Sequence, residues 1–181
     1  MTSGKKILLH SCCGPCLIYP LKKLQSDGYE VTGFFYNPNI HPEQEYTRRC
    51  KTIQDYSKQI NLNMILPPDY APNVFFEYIG DNAEKTLRCP LCWRLRFKKT
   101  ADTAKAMNIG AFTSTLMVSP YQDIDVLKKI GHAVADEVGV EFYDCDFREG
   151  YKIAIIISKQ ENMYRQKYCG CKFSLEEQNK K

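Results

Sequence analysis

The sequence predicts a doubly wound α/β fold, an open parallel sheet of about five strands with helices on both faces and a C-terminal extension. Two observations predict it. Short aliphatic or β-branched runs alternate with longer stretches of helical spacing, and glycine, proline or asparagine separates most of them. Alternation of this kind is typical of strand–helix–strand units with parallel strands. We expect residues 1–181 to form a single domain, with about 164–181 as a C-terminal segment.

The strands are predicted from short runs of aliphatic, β-branched or aromatic residues. The first, KILLH, leads into a Gly-Pro turn, and the second, VTGFFY, stops at Asn-Pro-Asn. The third, NMIL, stops at two consecutive prolines, and the fourth and fifth, AFTSTL and EFYDC, each follow a helical stretch. In chain order the predicted strands are residues 6–10, 31–36, 63–66, 111–116 and 141–145.

The helices are predicted where apolar residues recur every three to four positions. The most regular of them carries Ile124, Leu127 and Ile130 on one face. A polar loop is expected up to Arg88, and a helix and a polar tail are expected after the fifth strand. In chain order these predicted helices are residues 17–26, 41–61, 74–78, 92–108 and 123–138.

The composition is that of an ordinary globular protein, with 44% hydrophobic and 25% charged residues. The chain opens without the apolar stretch of a signal peptide, and its longest aliphatic run, residues 153–157, is far too short to span a bilayer. We expect a cytoplasmic protein with no membrane partner. Its nine cysteines are an odd number, and in a reducing compartment they stay free, bind metal or cycle catalytically.

Seven of the nine cysteines lie in three tight clusters. A Cys-x-x-Cys step directs two sulfurs to one metal centre, and Cys13/Cys16 and Cys89/Cys92 are two such steps. The steps are separated by most of the fold, which favours a redox cluster, [4Fe-4S] in type, over a structural zinc knuckle or buried packing cysteines. Because loops at the carboxyl ends of parallel strands share one edge of the sheet, we expect both steps at that edge.

Five thiols exceed the four that one cluster needs, so several ligand sets are open. In one ligand set the cluster is held by Cys12, Cys13, Cys89 and Cys92, and Cys16 is not a ligand. In another, a second, mononuclear metal lies beside the cluster. Asp69, just after the third strand, is a candidate oxygen ligand for it, although an exposed turn acid is the simpler interpretation.

The third cluster, Cys169-Gly170-Cys171, has one residue between its thiols. Such a pair forms a small, strained and therefore labile disulfide, which suits thiol exchange. Glycine assists because it accepts backbone angles that other residues avoid. We expect a flexible segment whose dithiol reaches the site or an external reductant.

Three basic stretches weakly favour an RNA substrate, namely residues 48–49, 94–99 and 164–168. The last interleaves bases with aromatic rings, a pattern that stacks on unpaired bases and contacts phosphates. The net charge of +4 is too small to decide the matter. Neither a Gly-x-Gly-x-x-Gly loop nor a Walker loop is present, so we expect no NAD or ATP site of those types.

Five linked motifs resemble the cobalamin-independent epoxyqueuosine reductases of the QueH family. They are HSCCGPC at 10–16, YNPNIHP at 36–42, RCPLC at 88–92, SPYQ at 119–122 and YRQKYCGC at 164–171. The resemblance implies an adenine-nucleotide α-hydrolase-like (HUP) fold and reduction of epoxyqueuosine to queuosine at the wobble position of tRNA. It also implies an iron–sulfur cluster on Cys12, Cys13, Cys89 and Cys92, a redox-active disulfide between Cys169 and Cys171, and no cobalamin.

The chemistry needs two electrons, two protons and a proton donor for the departing epoxide oxygen. His10, Asp69 and Asp81 are the candidate donors, and the motifs name no electron donor. Three alternative functions remain: an RNA-binding module with structural zinc, a metal-free thiol-disulfide oxidoreductase, and an ATP-using tRNA thiolase. The absence of a glycine-rich phosphate loop counts against the last.

Overall fold

The computed structural model describes residues 4–180 and contains a five-stranded, fully parallel sheet with the strand order β3-β2-β1-β4-β5. Residues 1–3, part of the stretch from which a signal peptide was judged absent, and residue 181 lie outside this description. This parallel sheet with helices on both faces confirms the fold class predicted from the sequence. The strands are β1 (Lys5–His10), β2 (Tyr29–Phe34), β3 (Met64–Ile65), β4 (Ala111–Ser114) and β5 (Glu141–Phe142).

The helices cover both faces of this sheet. Helix α1 packs on β2 and α6, while α4 packs on β1, β4 and α5. Two short 3-10 helices, Thr115–Val118 and Arg148–Gly150, follow β4 and precede α6. The α-helices are α1 (Gly14–Ser26), α2 (Glu43–Gln59), α3 (Asn73–Ile79), α4 (Lys85–Ala106), α5 (Ile124–Val138), α6 (Tyr151–Gln160) and α7 (Lys172–Asn179).

The central strand β1 anchors the hydrophobic core. Ile7, Leu8 and Leu9 are all 0% exposed, although consecutive side chains of a strand point to opposite faces. Such a continuous apolar run is what a parallel strand needs when helices cover both sides of the sheet. Burial of each of these side chains contributes roughly 1.5–3 kcal/mol. The loop that leaves β1 therefore starts from the most firmly held part of the fold.

The strand order reverses beside β1, since β2 lies on one side of it and β4 on the other. In open parallel sheets the crevice at this switch point, outside the carboxyl ends of the strands, is where ligands bind. Residues 11–13 leave β1 at this place, and the 3-10 helix Thr115–Val118 leaves β4 next to them. The topology thus brings the first cysteine cluster to the ligand-binding edge.

The structure corrects several of the predicted elements: the fifth strand ends at Phe142 rather than 145, and α7 occupies most of the expected polar tail. The polar loop expected up to Arg88 ends earlier, because α4 begins at Lys85 and continues through Pro90, so Cys89 and Cys92 lie on a helix. The fourth strand ends at Ser114 rather than 116, because the chain turns into a 3-10 helix there. Among residues 4–180 no helix combines the length and apolar character needed to cross a bilayer.

Candidate active site

A cavity of about 330 Å³ lies at the carboxyl edge of the sheet, and all three cysteine clusters contribute to its wall. The volume is at the small end of the range for small-molecule sites, about 300–1,000 Å³. The lining cysteines come from the β1–α1 junction, from α4 and from the C-terminal segment, which are far apart in the chain. The lining cysteines are Cys12, Cys16, Cys89, Cys92, Cys169 and Cys171.

The first cluster forms the most compact group of sulfurs. The Sγ atoms of Cys12, Cys13 and Cys16 all lie within 4.8 Å of one another. Cys13 directly precedes the first residue of α1 and makes no side-chain capping hydrogen bond, and Cys16 follows three residues later on the same side of the helix. Close packing of α1 on α2 depends on Gly14, because a Cβ there would lie 2.9 Å from Cγ2 of Thr52.

Within this group one sulfur is favoured to carry negative charge. The pKa of Cys12 is held well below its usual value, mainly because the thiols of Cys13 and Cys16 hydrogen-bond to its sulfur, with help from the hydroxyl of Thr115. The pKa of Cys13 is raised chiefly by burial, and that of Cys16 by its hydrogen bond to Cys12. Thiols that share a charge so closely are a ready site for a metal ion, which binds thiolates and displaces protons.

The second cluster faces the same cavity from α4. Cys89 and Cys92 are three residues apart on a helix, so their side chains share one face. Burial raises the pKa of both thiols, to about 11 for Cys92. The sequence predicted Cys89 in a loop and Cys92 at the start of a helix, whereas both lie within α4 and line the cavity.

His10 lies beneath the first cluster and is 0% exposed. Its Nε2 lies 3.0 Å from the carbonyl oxygen of Tyr36 and must donate there, so its Nδ1 accepts from the hydroxyl of Ser114 at 2.8 Å. Burial lowers its pKa to about 4. His10 is thus a neutral histidine with both ring nitrogens engaged. The structure gives no support to its role as the proton donor.

Gln166 links the C-terminal segment to the first cluster, a contact that sequence reasoning missed. Its side-chain amide donates to Sγ of Cys13 at 3.0 Å and lies 3.6 Å from Sγ of Cys16. Hydrogen bonds to sulfur ligands tune metal centres through their charge and orientation. The only signal in the sequence is that Gln166 lies next to the third cysteine cluster, within a stretch interpreted as RNA-binding.

The third cluster places an exposed thiol beside a buried one. The Sγ atoms of Cys169 and Cys171 lie 3.8 Å apart as free thiols, and Cys171 caps α7 with its sulfur accepting from the Ser174 backbone N–H. The pKa of Cys169 is lowered to about 5, because the Cys171 thiol and then the Ser174 hydroxyl hydrogen-bond to its sulfur. The pKa of Cys171 is raised by the same pairing. Cys169 is therefore the natural nucleophile of the pair.

Arg49 holds this third cluster in place and was also missed. Its guanidinium is 1% exposed and pairs with Glu45 at 2.7 Å. It donates to the carbonyl oxygens of Cys169 at 3.1 Å and Tyr168 at 3.0 Å. The next residue, Gly170, has a φ of +126°, and its carbonyl accepts from the His41 N–H at 2.8 Å. The segment expected to be a flexible arm is thus fastened to the fold.

A second buried arginine, Arg96, lines the cavity from α4 and is 4% exposed. Its Nε donates to the carbonyl oxygen of Cys92 at 3.3 Å, and no carboxylate pairs with it within residues 4–180. Its charge helps to lower the pKa of Cys169 and opposes the burial that raises the pKa of Cys89 and Cys92. A buried cation without a counter-ion favours anionic sulfur in the cavity.

Several residues predicted for the site lie elsewhere. Asp69 and Asp81 are exposed and do not line the cavity, so neither is placed as a metal ligand or proton donor there. The rings expected to stack on RNA are engaged internally: the hydroxyl of Tyr164 donates to Glu45 at 2.6 Å, and that of Tyr168 to the His41 carbonyl. In the basic stretch at 94–99, Arg94 pairs with Glu137 and Lys98 with Asp102, whereas Arg96 lines the cavity.

The geometry is accompanied by clear similarity to known proteins. The family model described as "Epoxyqueuosine reductase QueH" matches residues 7–177. Relatives named Epoxyqueuosine reductase QueH occur in Dehalococcoides mccartyi, 35% identical over 93% of this chain and 92% of that protein, and in Haemophilus influenzae, 36% identical over 97% and 74%. Another, from Thermotoga maritima, is 31% identical over 97% of this chain and 93% of its own length.

A solved structure described as a predicted subunit of tRNA methyltransferase, from Methanocaldococcus jannaschii, superimposes with a TM-score of 0.54 over 84% of this chain and 74% of that chain. Its sequence identity is 10%, so this likeness concerns the fold alone. The family match, by contrast, spans every motif that contributes a cysteine to the cavity. The chain belongs to the epoxyqueuosine reductase QueH family.

Proposed function

We propose that this protein reduces the epoxide of epoxyqueuosine in the anticodon loop of tRNA to the alkene of queuosine. The observation that carries the proposal is the meeting of three cysteine clusters in one cavity, together with the family match. The reaction breaks both C–O bonds of the epoxide, forms a carbon–carbon double bond and releases the oxygen as water. It consumes two electrons and two protons.

The donor set fits an iron–sulfur cluster. We assign its ligands to Cys12, Cys13, Cys89 and Cys92, with Cys16 as a fifth sulfur within 4.8 Å of the first two. All-sulfur donors suit iron–sulfur or zinc centres, and the buried cation Arg96 favours sulfur in its anionic form. When bound, such a cluster supplies single-electron transfer and a Lewis acid for an oxygen atom. A second, mononuclear metal is a further role for Cys16.

The dithiol of Cys169 and Cys171 matches the electron demand of the reaction. Its oxidation to a disulfide forms one S–S bond and releases the two electrons that epoxide removal consumes; with Cys169 ionised, Cys171 releases one proton and water supplies the other. The low pKa of Cys169 makes it the sulfur that attacks and is attacked in thiol exchange. An external thiol reductant then restores the pair. The buried neutral His10 joins the end of β1 to Ser114 at the end of β4 and to Tyr36 after β2, and we assign it no proton transfer.

The test is anaerobic purification and turnover of three proteins: the wild type, Cys12→Ser and, as a control, Cys50→Ser, a half-buried cysteine outside the cavity. Wild type and Cys50→Ser should contain iron and sulfide and should convert epoxyqueuosine in tRNA to queuosine, detected by mass spectrometry of the nucleosides. Cys12→Ser should lose most of its iron and at least about 100-fold in rate, since even supporting residues of metal sites cost about 10–100-fold.

The alternative functions give different results. A colourless wild type with stoichiometric zinc and no turnover would establish the zinc-stabilised RNA-binding module instead. Disulfide exchange by metal-free protein at an unchanged rate in Cys12→Ser would establish a thiol-disulfide oxidoreductase. Either result contradicts the proposed reaction.

A further inference from the structure

Tyr121 is an aromatic residue that folding does not explain. Its side chain is 76% exposed, the highest value among the large hydrophobic residues within the described part of the chain. It belongs to the motif SPYQ, to which the proposed chemistry gives no role. Single exposed rings are common on protein surfaces, so the place of Tyr121 beside the cavity, rather than its exposure alone, points to a partner.

The turn that carries Tyr121 holds it in a defined position. Its backbone N–H donates to Oγ of Ser119 at 3.3 Å, and the N–H of Gln122 donates to the Ser119 carbonyl at 3.4 Å. The turn ends at Asp123, whose side chain caps α5. The ring meets Tyr151 edge-on, with the centroids 6.1 Å apart at 87°. The aromatic face is thus preorganised and free.

Tyr121 is also part of the wall of the cysteine cavity. A cavity of about 330 Å³, whose wall also holds the proposed cluster ligands, takes at most one modified base and leaves the neighbouring nucleotides outside. Insertion of one base removes its stacking contact with the next, which enzymes that act on extruded bases must compensate. An exposed ring at the wall of the cavity offers that contact, because every base has a π-face.

The cavity wall also carries positive charge, which suits a nucleic acid. Lys167 lines the cavity, is exposed and has no acidic partner within 4.0 Å among the described residues. Arg165, two residues earlier, is exposed as well. An exposed aromatic ring and unpaired cations around one cavity are features with which proteins hold single-stranded nucleic acid, through stacking and phosphate contacts.

We propose that Tyr121 is a stacking platform for the unpaired anticodon-loop base adjacent to the nucleotide in the cavity, with Lys167 on the phosphate backbone. This inference rests on the proposed function, because it requires a tRNA nucleoside in the cavity. Tyr121 is an RNA contact outside the cysteine clusters and outside the basic-aromatic stretch at 164–168, to which Lys167 belongs.

The test measures binding of an anticodon stem-loop RNA over a range of salt concentrations. Tyr121→Ala should weaken binding roughly tenfold to a hundredfold, the effect of losing one stacked base, with an unchanged salt slope. Lys167→Ala should instead reduce the salt slope by about one. Tyr121→Phe keeps the ring and should bind like the wild type. Tyr78→Ala removes a tyrosine that is 41% exposed away from the cavity, and should have no effect.

Two further readouts separate stacking from a general structural role. The thermal midpoint of Tyr121→Ala should equal that of the wild type, since the ring is hardly buried. In turnover, Tyr121→Ala should raise KM and leave kcat nearly unchanged, as expected for loss of uniform binding. Wild-type affinity in Tyr121→Ala, in an enzyme that binds the stem-loop and turns over, overturns the inference and leaves the proposed function intact. Failure of the wild type to bind the stem-loop overturns both.

Discussion

The first and third cysteine clusters reach the same cavity by different physical means. Cys12, Cys13 and Cys16 follow a fully buried central strand and begin a helix, so the backbone of the core fixes their positions. Cys169 and Cys171 follow a segment with no strand or helix of its own, and side-chain hydrogen bonds from Arg49 fasten it.

This difference matches the chemistry proposed for the two clusters. A metal centre needs ligands that do not move, and ligands placed by the core meet that need. A dithiol that exchanges with a reductant needs one sulfur in contact with solvent, and Cys169 is exposed while Cys171 is buried. The comparison also predicts that single substitutions should affect the two regions to different extents.

The largest effect is expected at the ion pair that fastens the third cluster. Arg49→Gln leaves the carboxylate of Glu45 buried without its cation, which should lower the free energy of unfolding by about 3–5 kcal/mol. Lys51→Gln, the control, breaks an exposed pair with Asp55 one turn away and should cost at most about 0.5 kcal/mol. Urea denaturation measures both.

Arg49→Lys completes this comparison because it keeps the charge and loses the forked hydrogen bonds to the backbone of the C-terminal segment. It should fall between the wild type and Arg49→Gln in stability, and protease should cut near residues 164–171 faster than in the wild type. Equal stability of Arg49→Gln and Lys51→Gln would contradict side-chain anchoring of this region.

A smaller effect is expected where α1 begins. Gly14→Ala introduces a methyl group 2.9 Å from Cγ2 of Thr52 and should cost about 1 kcal/mol. Thr52→Ser removes that Cγ2 atom and keeps the hydroxyl. In the Thr52→Ser background, Gly14→Ala should be neutral or slightly stabilising, because alanine favours the helix by up to about 1 kcal/mol. A four-member denaturation cycle measures the coupling, and additive effects would show that close packing of α1 on α2 does not restrict this position.

The smallest effect concerns the reactivity of Cys169. In the reduced protein its alkylation rate should stay constant from alkaline pH down to about 6 and should fall as pH drops through its pKa of about 5. Ser174→Ala removes a hydrogen bond to the thiolate, and should raise that midpoint by about half a pH unit. Mass spectrometry after a timed iodoacetamide pulse measures the rate at each pH.

Cys50 provides the internal reference in this experiment, because burial raises its pKa and its rate should increase with pH. A pH profile of Cys169 that follows that of Cys50 would show that pairing with Cys171 does not activate it. The same profile in Arg49→Lys would then show whether the backbone anchor has any part in the activation.

The sequence predicted the fold more fully than the site. Each of the five strands lies within or overlaps its predicted range. A continuous apolar run such as Ile7–Leu9 is buried on both sides only in a sheet that helices cover on both faces. The helical position of Cys89 was missed because Pro90 and the polar residues before it are typical of a loop. That residues 1–181 form one domain, and the ligand roles of the individual cysteines, stay predictions.

The local sequence pattern determined the strands, most helices and the presence of three thiol clusters. Hydrophobic periodicity and cysteine spacing extend over only a few residues, so the sequence shows both directly. The tertiary structure decided which charges are buried: nothing in the sequence separates Arg49, inside the fold, from Arg48, whose guanidinium lies over the ring of Tyr164. It also engaged Tyr164 and Tyr168 within the protein and left Tyr121 free. The buried guanidinium of Arg49 depends on carbonyl oxygens 119 and 120 residues away, and only the folded chain brings them together.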